Sequence, residues 1–156
     1  MNPALALYRR LTPLPLGRWL YGRLICFKAP YFATIAPRFQ ALEPGRCEVA
    51  IRDRRRVHNH IGTVHAIALC NAAELTAGMM TDVTIPSSMR WIPKGMTVEY
   101  LAKAKGTLVA QATPEAPAVE ASSGYAWPVL VTVRNEAGED VFRARIDMWV
   151  SPRKAA

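Results

Sequence analysis

The chain has 156 residues, of which 51% are apolar and 21% charged, and a net charge of +8. That is one domain's worth of sequence with apolar residues enough for a real core, which excludes a disordered chain. The basic excess reads either as a soluble surface or as a match to an anionic partner. No zinc finger and no aromatic-interleaved RNA motif accompanies it, so nucleic acid is set aside.

Residues 1–35 read as helical pieces broken by Pro13, Pro15 and Pro30. A helix over Gly17 to Lys28 places Leu20, Leu24 and Phe27 on one face. Tyr8-Arg9-Arg10-Leu11 is followed by prolines and a charge rather than an apolar run, so no signal peptide is expected. No apolar stretch reaches the length of about 18 residues that a transmembrane helix needs. Arg9, Arg10, Arg18, Arg23 and Lys28 crowd this segment, which allows a helix lying on an anionic membrane. The prolines shorten the apolar face, so packing on the main domain is expected and membrane contact is not.

Pro37 to Leu42 and Arg46 to Arg52 read as two short strands around Glu43-Pro44-Gly45; Cys47, Val49 and Ile51 alternate with Glu48, Ala50 and Arg52. Arg54 to Thr63 is polar and loop-like. From Val64 to about Met80 the residues are apolar nearly all round, which predicts a buried helix with Thr63 as its N-cap. After Pro86 the pattern is strand-like. Met96, Val98 and Tyr100 alternate with Thr97, Glu99 and Leu101, and Gly106 opens Thr107 to Ala112. Ala126 to Arg134 and Val141 to Val150 flank a hairpin turn at residues 135–139. In the last strand Phe142, Ala144, Ile146 and Met148 share a face. Two short strands, one long helix and four strands predict an α+β fold, an antiparallel sheet wrapped around one buried helix.

The chemistry concentrates between Val57 and Glu74, where all three histidines lie with Cys70. His58 and His60 would point one way on an extended segment, but no HExxH, CxxC or zinc spacing supports them, so no metal is expected. Cys70 sits among Ala68, Leu69 and Ala72 and reads as a small buried hydrophobe. With Cys26 and Cys47 it makes three cysteines at no framework spacing, which fits a reducing cytoplasm. If the helix starts near His65, the amides of His65, Ala66 and Ile67 have no intrahelical acceptor, and they offer a developing oxyanion the positive end of the helix dipole. Glu74 is the one acid within the apolar helix. Buried there, it must be held by backbone or an arginine, or be functional. Ala66 and Glu74 lie about 12 Å apart along one helix. If both serve one reaction, Glu74 comes from a second subunit, and the protein is a homodimer with two interfacial sites.

Asn59, Gly62, His65-Ala66 and Glu74 resemble the motif of the hotdog-fold acyl-CoA thioesterase superfamily, of the phenylacetyl-CoA and 4-hydroxybenzoyl-CoA type. That motif runs Asn or Gln, a loop ending in His-Gly-Gly, and an acid nine residues after the His. A hotdog branch with Asn-His-x-Gly-Thr-x-His-Ala and a stretch like Trp91 to Leu101 resembles the chain still more. The resemblance implies a hotdog domain over 36–151, a helical extension over 1–35 and a tail over 152–156. It implies a cytoplasmic hydrolase whose substrate carries coenzyme A, with no other cofactor, acting as a homodimer or homotetramer. The Ala66 amide would polarise the thioester carbonyl, Asn59 would orient it, and His65 would shape the turn. Glu74 of the partner chain would act as base or nucleophile. Gly62, Ile67 and Gly78 would lie along the substrate. Lys103 and Lys105, sharing a strand face with Leu101, and Arg55 and Arg56 beside the motif loop, would meet the CoA phosphates. Two positions depart from the pattern: His-Ala-Ile stands for His-Gly-Gly, and Gly78 stands where some relatives carry a hydroxyl. These favour the alternative, a non-catalytic acyl-CoA-binding or regulatory module on the same fold. A third reading, an enoyl-CoA hydratase or dehydratase, would pair His65 with Glu74. The acyl pocket would be shaped by whichever of Met79, Met80, Met89, Tyr100 and Trp127 face it.

Overall fold

The computed structural model describes residues 2–153; of the expected tail, 154–156 lie outside the described residues. Six strands form one antiparallel sheet: β1 (Arg38–Glu43), β2 (Arg46–Ile51), β3 (Met89–Tyr100), β4 (Leu108–Pro114), β5 (Tyr125–Arg134) and β6 (Asp140–Pro152). Their spatial order is β1-β2-β4-β5-β6-β3, which leaves β1 and β3 at the edges. The long helix α3 (Ala66–Thr84) lies across the sheet. Its small residues Ala72, Ala73 and Ala77 are fully buried, as are Leu75 and Met80, against the inward side chains Val49, Leu108, Ala112, Val129 and Ile146. The buried hydroxyls of Thr76 and Thr81 each donate to a carbonyl one turn back, Ala72 O and Ala77 O, so the helix buries no unpaired hydroxyl there. The hydrophobic alternation read in β2 and β6 holds: Cys47, Val49 and Ile51, and Phe142, Ala144, Ile146 and Met148, all point inward.

The helix extends further than its apolar run, through Asp82 to Thr84, and starts later than a Thr63 cap would place it. β3 is also longer than its alternation, because Trp91, Ile92 and Pro93 pair with Val150, Trp149 and Met148 of β6.

The extension consists of α1 (Pro3–Leu11), α2 (Gly17–Lys28) and a 3-10 helix (Pro30–Ile35). Asn2 caps α1 by accepting from the amides of Ala4 and Leu5, and its Nδ2 donates to the carbonyl and carboxylate oxygens of Asp82 on α3. The extension packs on the main domain, but not by the face its periodicity marked. Tyr8 and Tyr21 stack edge-on at 5.1 Å, and Tyr21 stacks on Phe39 of β1 at 4.9 Å. Their hydroxyls donate to Gln40 O and Ala4 O respectively. This aromatic column turns Gly17, Tyr21, Gly22 and Cys26 inward. Leu20, Leu24 and Phe27 are therefore left 40%, 40% and 90% exposed. The column satisfies both burial and two hydroxyls, which an aliphatic stripe could not do for those tyrosines. No helix among the described residues is long and apolar enough to cross a membrane.

Candidate active site

The loop before α3 closes on itself. Asn59 Oδ1 accepts from the amides of Ile61 and Thr63 at 3.1 Å each, and its Nδ2 donates to Thr63 Oγ1 at 2.8 Å. Gly62, at φ +75, makes the turn that brings Thr63 back, a backbone conformation that favours glycine. Asn59, expected to orient a substrate, is thus committed to holding its own loop. His58 and Val64 form a β-bridge across the loop, so residues 63–64 are still extended and Thr63 does not cap the helix. His65 does: its Nδ1 accepts from the amide of Ile67 at 3.0 Å. The amide of His65 donates to Val57 O. Of the three amides expected to be open, two are therefore taken. Of the three, only Ala66, the first residue of α3, is left with an amide that no acceptor meets among the described residues.

Neighbouring segments brace this loop. Asp53 pairs with His58 Nε2, accepts from the Gly106 amide at 3.0 Å, and donates its own amide to Gly106 O. Partial burial works to raise the Asp53 carboxyl, but the hydrogen bonds from His58 and Gly106 and the charge of Lys105 hold it below the ordinary value. Val64 N donates to Ala104 O. His58 and His65 thus serve the scaffold, and among the described residues no group of three or more His, Cys, Asp or Glu is placed to hold a metal.

Lys103 and Lys105 are not on a strand. β3 ends at Tyr100, because the amides of Leu101 and Ala102 both turn to Val141 O as the chain crosses the end of β6. Both lysines are nevertheless exposed on either side of buried Ala104. Arg55 and Arg56 stand exposed in a short 3-10 turn, Arg55–Val57. The Asp53–Gly106 and Val64–Ala104 bonds bring both basic sets to the end of the molecule that holds the start of α3.

Glu74 is exposed, contrary to the expectation of burial. The outward stripe of α3, Ile67, Cys70, Glu74 and Gly78, faces the space between β3 and the extension rather than the sheet. Neither an arginine nor a backbone group holds the Glu74 carboxylate; among the described residues it has no hydrogen bond or ion pair. It borders a cleft of about 390 Å³ lined by Ile25 and Phe32 of the extension, Leu75 and Met79 of α3, and Trp91 and Pro93 of β3. Gly78 is explained here. A Cβ at this position would stand 2.8 Å from the Trp91 ring, which Asp82 holds by a 3.4 Å bond to Nε1. A hydroxyl-bearing residue and this indole cannot share the space.

Cys70 is half-buried rather than buried, with its Sγ 3.3 Å from Tyr100 Oη. That hydrogen bond, with burial, pushes the Tyr100 phenol up to about 12. Met80, Met89 and Trp127 belong to the core, and Met79 alone of the methionines named for the pocket lines the cleft. One residue had no signal in the sequence. Asn71 is 6% exposed, and its Nδ2 donates to Thr34 Oγ1, whose own hydroxyl donates to Tyr31 O. Asn71 Oδ1 is left buried without a donor among the described residues. It lines a second cleft, of about 200 Å³, with Arg56, His58, His65 and Ile67.

Comparison with known proteins bears on the family and the fold. The family model described as Domain of unknown function (DUF4442) matches residues 17–150. A crystal structure named genomics APC5556 is 46% identical, with a TM-score of 0.82, covering 96% of this chain and 98% of that one. A thioesterase family protein from Silicibacter pomeroyi is 17% identical, with a TM-score of 0.71 over 85% of this chain and 96% of its own. The smu.793 protein from Streptococcus mutans UA159, bound to acetyl CoA, is 19% identical, with a TM-score of 0.64 over 76% and 91%. No curated protein matches the chain. At such identities the last two show the fold, and the hotdog fold expected from the sequence is the fold of this chain.

Proposed function

The chain belongs to the DUF4442 family, and from the site this member presents we infer that it hydrolyses acyl-CoA thioesters as a homodimer. One observation carries the reading. Among the described residues the first amide of a 19-residue helix has no acceptor, and a free, exposed carboxylate lies about two turns further along the same helix. The amide stabilises the oxyanion that forms as the thioester carbonyl is attacked. The carboxylate takes the proton from the attacking water, or attacks directly to give an anhydride that water then opens.

Dimerisation supplies the missing proximity. The edge of β3 away from β6 is unpaired over a long strand, with Ile92, Met96 and Tyr100 exposed. Such an edge invites pairing with a second copy. A two-fold axis that sets Glu74 of one subunit against Ala66 of the other passes midway between them, beside Cys70. Cys26 and Cys47 are buried, so Cys70 is the accessible thiol. A short thiol-specific bifunctional reagent is expected to link the subunits of the wild type and to leave Cys70→Ser monomeric on a denaturing gel. A wild-type protein that stays uncross-linked while dimeric in solution removes this axis.

The CoA portion has its own features. The buried acceptor Asn71 Oδ1 suits an amide N–H of the pantetheine arm, and the basic residues at this end of the molecule suit the phosphates. The three unpaired cysteines agree with a cytoplasmic setting. Among the described residues no group orients Glu74, which favours the second reading, an acyl-CoA-binding module. Release of free CoA from a panel of acyl-CoAs separates the two. Turnover supports the hydrolase, whereas saturable binding without release supports the module. His65, whose Nδ1 caps the helix, is a poor partner for the acid–base pair of a hydratase.

A further inference from the structure

Beside α2, on the other side of the 3-10 helix from the start of α3, lies a cleft of about 290 Å³. Four arginines line it: Arg23 of α2, Arg38 of β1, and Arg52 and Arg54 just after β2, with Trp19 at its wall. Among the described residues none of the four makes an ion pair. Arg54 donates one NH2 to Thr34 O, but its Nε is buried without an acceptor. The Arg23 guanidinium lies 6.0 Å over the Trp19 ring. Four arginines around one cleft with no acid among its lining residues make it strongly cationic, and the buried Nε lacks the oxygen it needs. A phosphate group answers both, since its oxygens match the guanidinium fork.

The same element carries the exposed apolar stripe. Leu16, Leu20, Leu24 and Phe27 run along the outer side of α2, with Trp19 beside them. The segment that carries the stripe holds no acid of its own, and Glu74 and Asp82 of α3 border its other side, at the cleft with Ile25 and Lys28. The first acidic residue of the chain is Glu43, whereas Arg9, Arg10, Arg18, Arg23, Lys28 and Arg38 all precede it. A second copy on this face would bring the same cations together. An anionic bilayer takes the apolar stripe into its headgroup boundary and sets its phosphates against the arginines.

We propose that this face docks the protein on anionic phospholipid membranes, with α2 lying in the interface and the four-arginine cleft receiving a lipid phosphate. Sedimentation with vesicles of phosphatidylcholine, with and without phosphatidylglycerol, tests it. The wild type is expected to bind only the anionic vesicles, and less as salt rises. Each arginine removed should weaken partitioning about fivefold, so Arg38→Gln with Arg52→Gln should weaken it roughly 25-fold. Leu24→Ser with Phe27→Ser should weaken it about tenfold or more. Thermal melts confirm that these variants fold, and the wild-type comparison needs no variant. Equal binding to both vesicles, or to neither, overturns the proposal. So does release from vesicles by millimolar CoA or inorganic phosphate, which would make the cleft a site for a soluble phosphate. A change in oligomeric state in the Leu24/Phe27 variant would assign the stripe to a second copy and overturn it too.

Discussion

Ala66→Pro should cost about 10²–10³-fold in kcat, the effect of losing one oxyanion donor, while the melting temperature stays nearly unchanged. Proline is well suited to the first position of a helix, where its missing N–H has no intrahelical partner to lose. The residue before it, His65, already sits at φ −66 and ψ 141, the extended region that a following proline favours. The bonds that shape the turn, His65 N to Val57 O and Ile67 N to His65 Nδ1, involve no atom of Ala66. The substitution therefore deletes one hydrogen-bond donor and little else. Ala66→Gly keeps the amide and should keep the activity. A proline variant with unimpaired CoA release would place the oxyanion elsewhere.

The fold was legible because its signals are local and repeated. Cys47, Val49 and Ile51 show period two, and the run from Val64 to about Met80 is apolar nearly all round, so strand and buried helix follow from side-chain direction alone. The site was legible only in part, for reasons that particular residues show. An apolar helix predicts a buried Glu74, yet the sheet covers one side of α3 and leaves the stripe through Ile67, Cys70 and Glu74 open. Thr63 looked like the cap, but Asn59 claims its hydroxyl and a bridge keeps the chain extended past it. Gly78 looked like a lost hydroxyl, and only the indole of Trp91, thirteen residues on, explains it. Leu20, Leu24 and Phe27 carried a clear helical period, and tertiary aromatic packing between Tyr8, Tyr21 and Phe39 overrode it. Thr63 is claimed within its own loop, by Asn59 four residues before it; the other misses depend on contacts between segments that no local pattern encodes.

Glu74→Gln should lower kcat by about 10²–10⁴-fold, the usual share of a general base, with KM close to wild type. The carboxylate is exposed and bonds nothing among the described residues, so an amide of the same shape leaves the cleft as it is. The stronger test asks which chain supplies it. In a dimer that mixes Ala66→Pro with Glu74→Gln, one site combines both defects. The other takes its intact amide from the Glu74→Gln subunit and its intact carboxylate from the Ala66→Pro subunit. Random mixing of the two inactive proteins should then restore about one quarter of the wild-type sites. If amide and carboxylate acted within one chain, every site would keep one defect and nothing would return. Recovery to near a quarter after co-expression therefore establishes the shared site directly. Its absence, in a preparation shown to contain mixed dimers, would return both groups to a single subunit, where about 12 Å of helix keeps them from one carbonyl.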